Sequence, residues 1–247
     1  MEEAGRAGEA GEVPVVMSGD GLVGQIGGSL AGTGVPLGII PGGRGNDLAR
    51  VLGIPSDPRG AVAVLAEGYE REIDVGVAND RRFLCVASCG FDSDANRIAN
   101  EARLVRGNLV YAYAALRALA AWRPANFRVA IDGEPLEFAG YSVAAGNSST
   151  FGGGMMIAPH AELDDGLLEV IAISQVSKVR YLRGIPKAFK GTHVENEEVT
   201  ERRGTTIEIR ADRPFAVYAD GEHLTDLPAT LSTMRRALRV IAPSPPA

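Results

Sequence analysis

The sequence has few cysteines, few histidines and few aromatic residues. Its 247 residues include 2 cysteines and 3 histidines, and 6% of them are aromatic. Cys85 and Cys89 fall in an apolar segment that predicts a strand, where four residues span about 13 Å, too far for a disulfide. Unlinked cysteines are typical of a reduced, cytoplasmic protein. His160, His193 and His223 share no metal-ligand spacing, so they predict no histidine-based metal site.

The sequence also lacks an excess of basic residues and a long apolar run. Its formal net charge is −6, which argues against a nucleic-acid partner, since nucleic-acid-binding proteins are usually basic. The longest apolar stretch, residues 109–122, is interrupted by Arg117 and is too short to span a bilayer. The first residues are acidic and no apolar segment follows them, so we expect no signal peptide. Any contact with a membrane is therefore expected to be peripheral.

Apolar segments in the first third of the chain alternate between strand and helix patterns. Strands are predicted over residues 13–17 and 35–40, and helices over 22–31, 47–52 and 61–67. Repeated strand–turn–helix order is typical of an open, mostly parallel α/β sheet. Residues 1–12 are a low-complexity stretch of Ala, Gly and Glu that we expect to be poorly ordered.

After residue 73 the pattern changes to many short apolar segments. A strand over residues 82–87 precedes two predicted helices, over 93–103 and 108–120. Strands then follow over 127–131, 135–139, 142–146, 167–173, 197–200, 205–210, 215–218 and 237–241. Short strands joined by Asp-Gly turns predict antiparallel sheets or a sandwich. The predicted fold is therefore α/β plus β, with an α/β domain over residues 1–72 and a β-rich domain over 73–247 whose extreme C-terminus can return to the first domain.

Two glycine-rich loops follow the first two predicted strands. Their sequences are SGDG at residues 18–21 and PGGRGND at 41–47. Loops at the carboxyl ends of parallel strands lie at the same edge of the sheet, and their backbone N–H groups form an anion site at the start of a helix. Asp20 repels a phosphate, so it would bind Mg²⁺ or a hydroxyl group.

Two other interpretations of these loops remain. Gly19, Gly21 and Gly24 match the G-x-G-x-x-G pattern of dinucleotide-binding proteins, but the next strand ends without the acid that binds the ribose. Either loop alone could also be an ordinary tight turn. A phosphate site explains the two adjacent loops together.

A third glycine-rich segment lies at residues 146–154, with the sequence GNSSTFGGG. Asp164 and Asp165 follow it just before a predicted strand, and carboxylates there offer hard oxygen ligands to Mg²⁺ or Ca²⁺. A polar turn without a metal explains the same residues.

The ordered motifs SGDG, PGGRGND, GFDSD, GNSSTFGGG…LDDGLLEV and YADGE resemble the bacterial diacylglycerol kinase family. That family shares its fold with NAD kinases and sphingosine kinases, and the resemblance covers residues 13–243. It implies an NAD-kinase-like α/β nucleotide domain followed by a β-sandwich domain, with ATP and Mg²⁺ bound in the cleft between them. It also implies transfer of the γ-phosphate of ATP to a lipid hydroxyl at a membrane surface.

The resemblance also implies roles for individual residues. The nucleotide loop corresponds to Ser18, Gly19, Asp20, Gly21 and Leu22. The second phosphate loop contributes Gly43, Arg44, Asn46 and Asp47, and the cleft contributes a further acid, Asp92. Glu222, in a triplet with Asp220, matches the general base. A structural Mg²⁺ site matches Asp165 and the carbonyl groups of Glu162 and Leu167.

The chain departs from the family pattern at several positions. Ser18 replaces the first glycine of the nucleotide loop, Leu22 replaces its threonine, and Arg44 replaces a threonine of the second loop. The family's first strand–helix–strand unit is missing, so the α/β domain is expected to be incomplete. Either the start codon lies upstream or the chain is a divergent, inactive nucleotide- or lipid-binding member. An NAD kinase is a further alternative, and the acceptor lipid and a homodimer are left open.

Two Asp-Gly-Glu triplets occur, at residues 132–134 and 220–222. Each predicts a β-hairpin turn. Only the family pattern distinguishes Glu222 from Glu134.

A basic segment separates Glu169 from Glu195, and it contains no acidic residue. Its basic residues alternate with apolar ones in a helical pattern. A basic, amphipathic helix can lie on an anionic membrane, here the inner face of the cell membrane. It can equally pack on its own sheet. The residues concerned are Lys178, Arg180, Arg183, Lys187 and Lys190, with Tyr181, Leu182, Ile185 and Phe189.

Overall fold

The computed structural model describes residues 11–91, 93–94, 117 and 119–245. Its first part is a small α/β unit. Two parallel strands, β1 and β2, pair from Val15 opposite Gly38 to Ser18 opposite Pro41. The elements are β1 (Val15–Ser18), α1 (Asp20–Leu30), β2 (Gly38–Pro41), α2 (Asp47–Val51) and α3 (Pro58–Glu67). The predicted alternation of strand and helix is confirmed.

Local sequence signals set the bounds of α3. Asp57 accepts a hydrogen bond from the N–H of Gly60 and so caps the first turn, and Pro58 begins the helix. Gly68 ends it in the left-handed conformation, with φ of 67°. The helix begins three residues before the predicted start at residue 61, because proline is tolerated in a first turn.

The rest of the chain forms a large antiparallel sheet of eleven strands among the described residues. Its main path runs β12-β11-β5-β7-β6-β10-β13-β3-β4, and β8 and β9 extend it from β7. The strands are β3 (Glu70–Ala78), β4 (Arg81–Phe83), β5 (Val86–Gly90), β6 (Ala125–Ile131), β7 (Glu134–Gly146), β8 (Leu168–Ser174), β9 (Val199–Gly204), β10 (Thr206–Ala211), β11 (Ala216–Ala219), β12 (Glu222–Asp226) and β13 (Ala229–Ile241). A helix, α4 (Lys178–Ala188), and a 3-10 turn (Thr192–Glu195) connect β8 to β9. The α/β plus β architecture is as predicted.

The last strand joins the two parts of the molecule. β13 pairs along β3, and the N–H of Ile241 donates to the carbonyl of Leu37, next to β2. Leu37 also forms a parallel bridge with Val240. The predicted domain boundary between residues 72 and 73 falls inside β3, which belongs to the antiparallel sheet. One apolar core therefore contains Ile39 of β2 together with Val240 of β13.

Several strands differ from the predicted segments. The segments over 135–139 and 142–146 form one strand, β7, with a register shift between Gly140 and Ser142 opposite β8. The segment over 82–87 divides into β4 and β5. β13 begins eight residues before its predicted start at 237 and has an irregularity where Arg236 takes φ of 47° and donates its N–H to Asp74. Residues 229–232 alternate apolar and polar side chains, but the polar residues Ser232 and Thr233 then follow one another, so the strand was missed.

The predicted helices over residues 93–103 and 108–120 lie largely outside the described residues. Within the described part of the chain, no helix is long and apolar enough to cross a lipid bilayer.

Candidate active site

The two glycine loops touch each other through their backbones. The N–H of Gly42 donates to the carbonyl of Ser18 at 2.9 Å. A Cβ atom on Gly43 would lie 2.3 Å from the Cα of Gly19, far inside van der Waals contact. The loop PGGRGND therefore has glycine at residue 43 because the backbone of Gly19 occupies the place of a side chain.

Asp20 holds the second loop against the first. Its two carboxylate oxygens accept the N–H groups of Asn46, at 2.8 Å, and Asp47, at 2.6 Å. Burial, and then the charge of Asp47, raise the pKa of the Asp20 carboxyl. The sequence predicted Asp20 as a ligand of Mg²⁺ or a hydroxyl group, and the structure shows that it also braces the loops.

Asn46 closes the second loop on itself. Its side chain donates to the carbonyl of Gly43 at 2.9 Å and accepts the N–H of Gly43 at 2.8 Å. It adopts the left-handed conformation with φ of 51°, which asparagine tolerates well. Arg44 lines the cavity that the loops border.

Asp47 connects the second loop to the third glycine-rich segment. It is 4% exposed, and its carboxylate accepts the N–H groups of Gly153, at 3.0 Å, and Gly154, at 2.7 Å. The two glycines have φ of 91° and 94°. This explains the costly run of glycines, because positive φ angles turn two successive N–H groups toward one carboxylate.

We predict that Asp47→Ala lowers the free energy of unfolding by about 2–3 kcal/mol, because it removes the charged acceptor of the Gly153 and Gly154 N–H groups. Denaturant titration monitored by circular dichroism measures the change. Asp80→Ala, at an exposed turn position, is the control and should change it by less than about 0.5 kcal/mol. Equal losses in the two variants would contradict this role of Asp47.

The second Asp-Gly-Glu triplet forms a tight turn at the edge of the same cavity. Asp220 and Gly221 have φ of 52° and 85°, and they connect β11 to β12. Asp220 accepts the N–H groups of Leu84, at 2.7 Å, and Cys85, at 3.0 Å. Burial raises the pKa of the Asp220 carboxyl to about 6. Asp220 therefore anchors the turn on the chain that enters β5.

The turn places Glu222 against the start of α1. A Cβ atom on Gly21 would lie 3.1 Å from Oε1 of Glu222, and one on Gly24 would lie 2.8 Å from Oδ2 of Asp220. Glycine at residues 21 and 24, on the first turns of α1, thus leaves room for the hairpin. Asp20, Asp220 and Gly221 line one crevice. Glu222 follows Gly221 and is exposed, but it is not among the lining residues.

That crevice is a cavity of about 930 Å³ with two different ends. The polar end is lined by Asp20, Arg44, Gly45, Asp47, Cys85 and Asp220. The apolar end continues beneath α4 and is lined by residues that include Ile157, Ile171, Ile173, Val176, Tyr181 and Ile185. Leu22, predicted for the nucleotide loop, lies on α1 and is 46% exposed.

Cys85 is the thiol at the polar end. Burial raises its pKa well above the usual range, so the thiol stays protonated. Nucleophilic catalysis by this cysteine is therefore not supported.

The predicted Mg²⁺ ligands lie in the turn before β8. Asp165 accepts the N–H of Leu167 at 2.9 Å through Oδ1, and its Oδ2 lies 4.0 Å from Nη1 of Arg203. Asp74 holds the same turn by accepting the N–H of Gly166. An oxygen-only set of one carboxylate and two carbonyls fits Mg²⁺. Asp92, the predicted cleft acid, lies outside the described residues.

Family models match the chain over nearly its full length. The model of the diacylglycerol kinase catalytic domain matches residues 2–78, and the model of the YegS C-terminal NAD kinase beta sandwich-like domain matches residues 85–242. A diacylglycerol kinase of Mycobacterium tuberculosis is 39% identical over 236 residues, covering 93% of this chain and 76% of that protein. The chain belongs to the diacylglycerol kinase family. The predicted resemblance is confirmed.

Further relatives and solved structures are similar to this chain at lower identity. The diacylglycerol kinase of Staphylococcus aureus is 26% identical over 236 residues, 94% of this chain and 75% of that protein. A crystal structure of a diacylglycerol kinase from Bacillus anthracis has a TM-score of 0.70 at 21% identity, over 93% of this chain and 75% of the other. The structure of an NAD kinase from Archaeoglobus fulgidus in complex with ATP has a TM-score of 0.52 at 14% identity, over 92% of this chain and 76% of the other. The likeness to these two structures shows that the present chain has the NAD-kinase-like fold.

Three features of the site in this chain were not predicted from the sequence. They are the bonds from Asp47 to Gly153 and Gly154, the bonds from Asp220 to the backbone before β5, and the continuation of the crevice beneath α4. The run of glycines was a signal for the first contact, but it did not name the partner.

Proposed function

We propose that the chain transfers the γ-phosphate of ATP to a hydroxyl group of diacylglycerol or a related lipid. The observation that carries this proposal is the two-ended crevice. Arg44 suits a polyphosphate at one end, where a Mg²⁺ ion bound with ATP would offset the carboxylates, and aliphatic side chains suit an acyl chain at the other. In this proposal the γ-phosphate and the lipid hydroxyl meet beside the turn that carries Glu222.

The chemistry requires positioning and a proton acceptor. Arg44 and the glycine loops bind and orient the phosphates, and Asp20 and Asp47 keep the three loops in register. Glu222 accepts the proton of the lipid hydroxyl as its oxygen attacks the γ-phosphorus and the bond to the β-phosphate oxygen breaks. Asp220 fixes the turn on which Glu222 stands.

Two sets of residues fit Mg²⁺. An ion bound with ATP near Asp20 would supply positive charge against the phosphate oxygens. The carboxylate of Asp165 and the carbonyls of Glu162 and Leu167 would hold a structural ion beside β8.

Helix α4 supports a membrane location for this reaction. Val179, Leu182 and Phe189 are 59%, 39% and 50% exposed although they are apolar. Basic side chains surround them, while Arg180 pairs with Glu198 at 2.6 Å. Such a surface suits the anionic inner face of the cell membrane, next to the apolar end of the crevice.

The direct test supplies radiolabelled ATP with diacylglycerol vesicles or with NAD⁺. We expect labelled lipid and no labelled NAD⁺. Labelled NAD⁺ alone would make the chain an NAD kinase, and ATP binding without any transfer would make it an inactive binding protein. Either result overturns the proposal.

A slot-filling variant tests where the lipid binds. Ile173→Trp adds volume to the apolar end of the crevice. We expect the larger side chain to weaken lipid binding by about 1–3 kcal/mol and so to lower kcat/KM for the lipid tenfold to a hundredfold. The Kd of an ATP analogue, measured by calorimetry, should not change, because Ile173 is not among the residues of the polar end. Unchanged lipid kinetics in a folded variant would place the acyl chain elsewhere.

A further inference from the structure

We propose that His160, Glu169 and Glu201 form a site for a divalent transition-metal ion of the zinc class, separate from the Mg²⁺ positions. One ligand atom from each residue lies within 4.8 Å of the other two. Nδ1 of His160 is 2.8 Å from Oε1 of Glu201. An imidazole nitrogen with two carboxylate oxygens is a donor set that Zn²⁺ prefers and Mg²⁺ does not.

Strand pairing brings these residues together. Glu169 on β8 lies opposite Arg203 on β9, and Glu201 is two residues along β9, on the same face. His160 belongs to the segment before β8, and its N–H donates to Oε1 of Glu169 at 3.2 Å. Two neighbouring strands and the preceding loop thus supply one ligand each.

Glu169 provides an independent sign of a missing ligand. The residue is 1% exposed, and its Oε1 accepts the N–H of His160. Its Oε2 faces Glu201 and has no donor in hydrogen-bonding geometry among the described residues. Arg203 Nη2 lies 3.5 Å from this oxygen without hydrogen-bonding geometry. One ion pair at 3.5 Å offsets only part of the cost of desolvating a buried carboxylate, so a bound cation would stabilise Glu169 further.

The cluster is open to solvent on one side. The side chains of His160 and Glu201 are 58% and 27% exposed, whereas that of Glu169 is 1% exposed. An ion can enter from the exposed side and keep a water molecule as its fourth ligand. Zn²⁺ lies about 2.0–2.2 Å from such nitrogen and oxygen ligands, so small side-chain movements complete the site.

Arg203 makes the proposal sharply testable. Its guanidinium contacts Glu169, donates to the carbonyl of His160 and lies 4.0 Å from Asp165. Metal ligands bind in their deprotonated form, and with a neutral imidazole and two ionised glutamates the cluster and Arg203 carry one net negative charge. The guanidinium therefore favours folding of the cluster but repels a cation.

The experiment titrates the chelator-treated full chain with ZnCl₂ alone by calorimetry, and again in excess Mg²⁺. We expect one saturable Zn²⁺ site that Mg²⁺ does not displace, and a higher thermal midpoint with Zn²⁺. His160→Ala and Glu201→Gln should abolish that site. Arg203→Met should tighten it about tenfold, because it removes a nearby positive charge.

His223→Ala is the matched control. His223 is also exposed and also lies beside a carboxylate, 3.1 Å from Asp226, but no second acid joins it among the described residues. Zn²⁺ binding should survive in this variant. Thermal unfolding verifies that each variant folds. His160→Ala is the most informative variant, because the side chain of His160 is 58% exposed and its loss should not disturb the fold.

Three results would overturn the site. They are no saturable Zn²⁺ binding, binding that persists in folded His160→Ala, and displacement by Mg²⁺, which would assign the ion to the oxygen-only set at Asp165. The experiment measures Zn²⁺ binding and not turnover. Its result therefore tests the metal site independently of the proposed lipid kinase activity.

Discussion

Glu222→Gln should lower the rate of phosphate transfer to lipid by about a hundredfold to ten-thousandfold, because the amide cannot accept the proton of the attacking hydroxyl. Glutamine has the same shape as glutamate, so the turn anchored by Asp220 should persist. The Kd of an ATP analogue should stay unchanged, because Glu222 is assigned to the acceptor and not to the phosphates. Radiolabel transfer under saturating substrates measures the loss in kcat.

The chain contains its own control for this experiment. Asp132 and Gly133, with φ of 49° and 88°, form the same kind of turn as Asp220 and Gly221. This turn joins β6 to β7 and ends in Glu134, which is exposed. Glu134→Gln should leave kcat unchanged. Full turnover in Glu222→Gln, or equal losses in the two variants, would refute the assignment of Glu222 as the base.

Gly43→Ala should weaken ATP binding at least tenfold and destabilise the fold by about 1–3 kcal/mol. The new Cβ would lie 2.3 Å from the Cα of Gly19, and both atoms belong to backbones that cannot rotate away. The loops must separate by more than 1 Å, since carbon atoms pack at about 3.5–4.0 Å. That separation stretches the bonds from Asp20 to the N–H groups of Asn46 and Asp47.

Calorimetry with an ATP analogue and denaturant titration measure the two effects. Gly184→Ala is the control, because Gly184 lies on α4 and a Cβ there would find its nearest neighbour, Nδ2 of Asn196, at 4.0 Å. Alanine favours helix, so this variant should be as stable as the parent or more so. Normal ATP affinity in Gly43→Ala would show that the loops do not bind the phosphates at their contact.

Local structure followed from local sequence. Asp-Gly pairs predicted both tight turns because aspartate and glycine tolerate positive φ. The helix predicted over residues 61–67 is α3, which begins three residues earlier at Pro58, and the predicted helix over the basic segment is α4. The ordered motifs also identified the family, which the comparisons confirmed.

Long strands were harder to predict. β3 and the first half of β13 were missed because charged residues break the alternation of β3 and polar residues follow one another in β13. Pairing with neighbouring strands fixes both, since β13 lies between β10 and β3 and β3 lies between β13 and β4. Part of the site was hidden for a related reason. Asp47 binds N–H groups 106 and 107 residues away, and Asp220 binds N–H groups 136 and 135 residues away.

The sequence by itself determined the class of fold, the family and the glycine loops that suit a polyphosphate. Each of these depends on backbone preferences or residue order within short segments. Only the tertiary structure decided which carboxylate braces which loop, how the crevice continues beneath α4, and that His160 meets Glu169 and Glu201. Those contacts join residues from different strands and loops, so strand register and packing determine them. They cannot be predicted from the spacing of these residues along the chain.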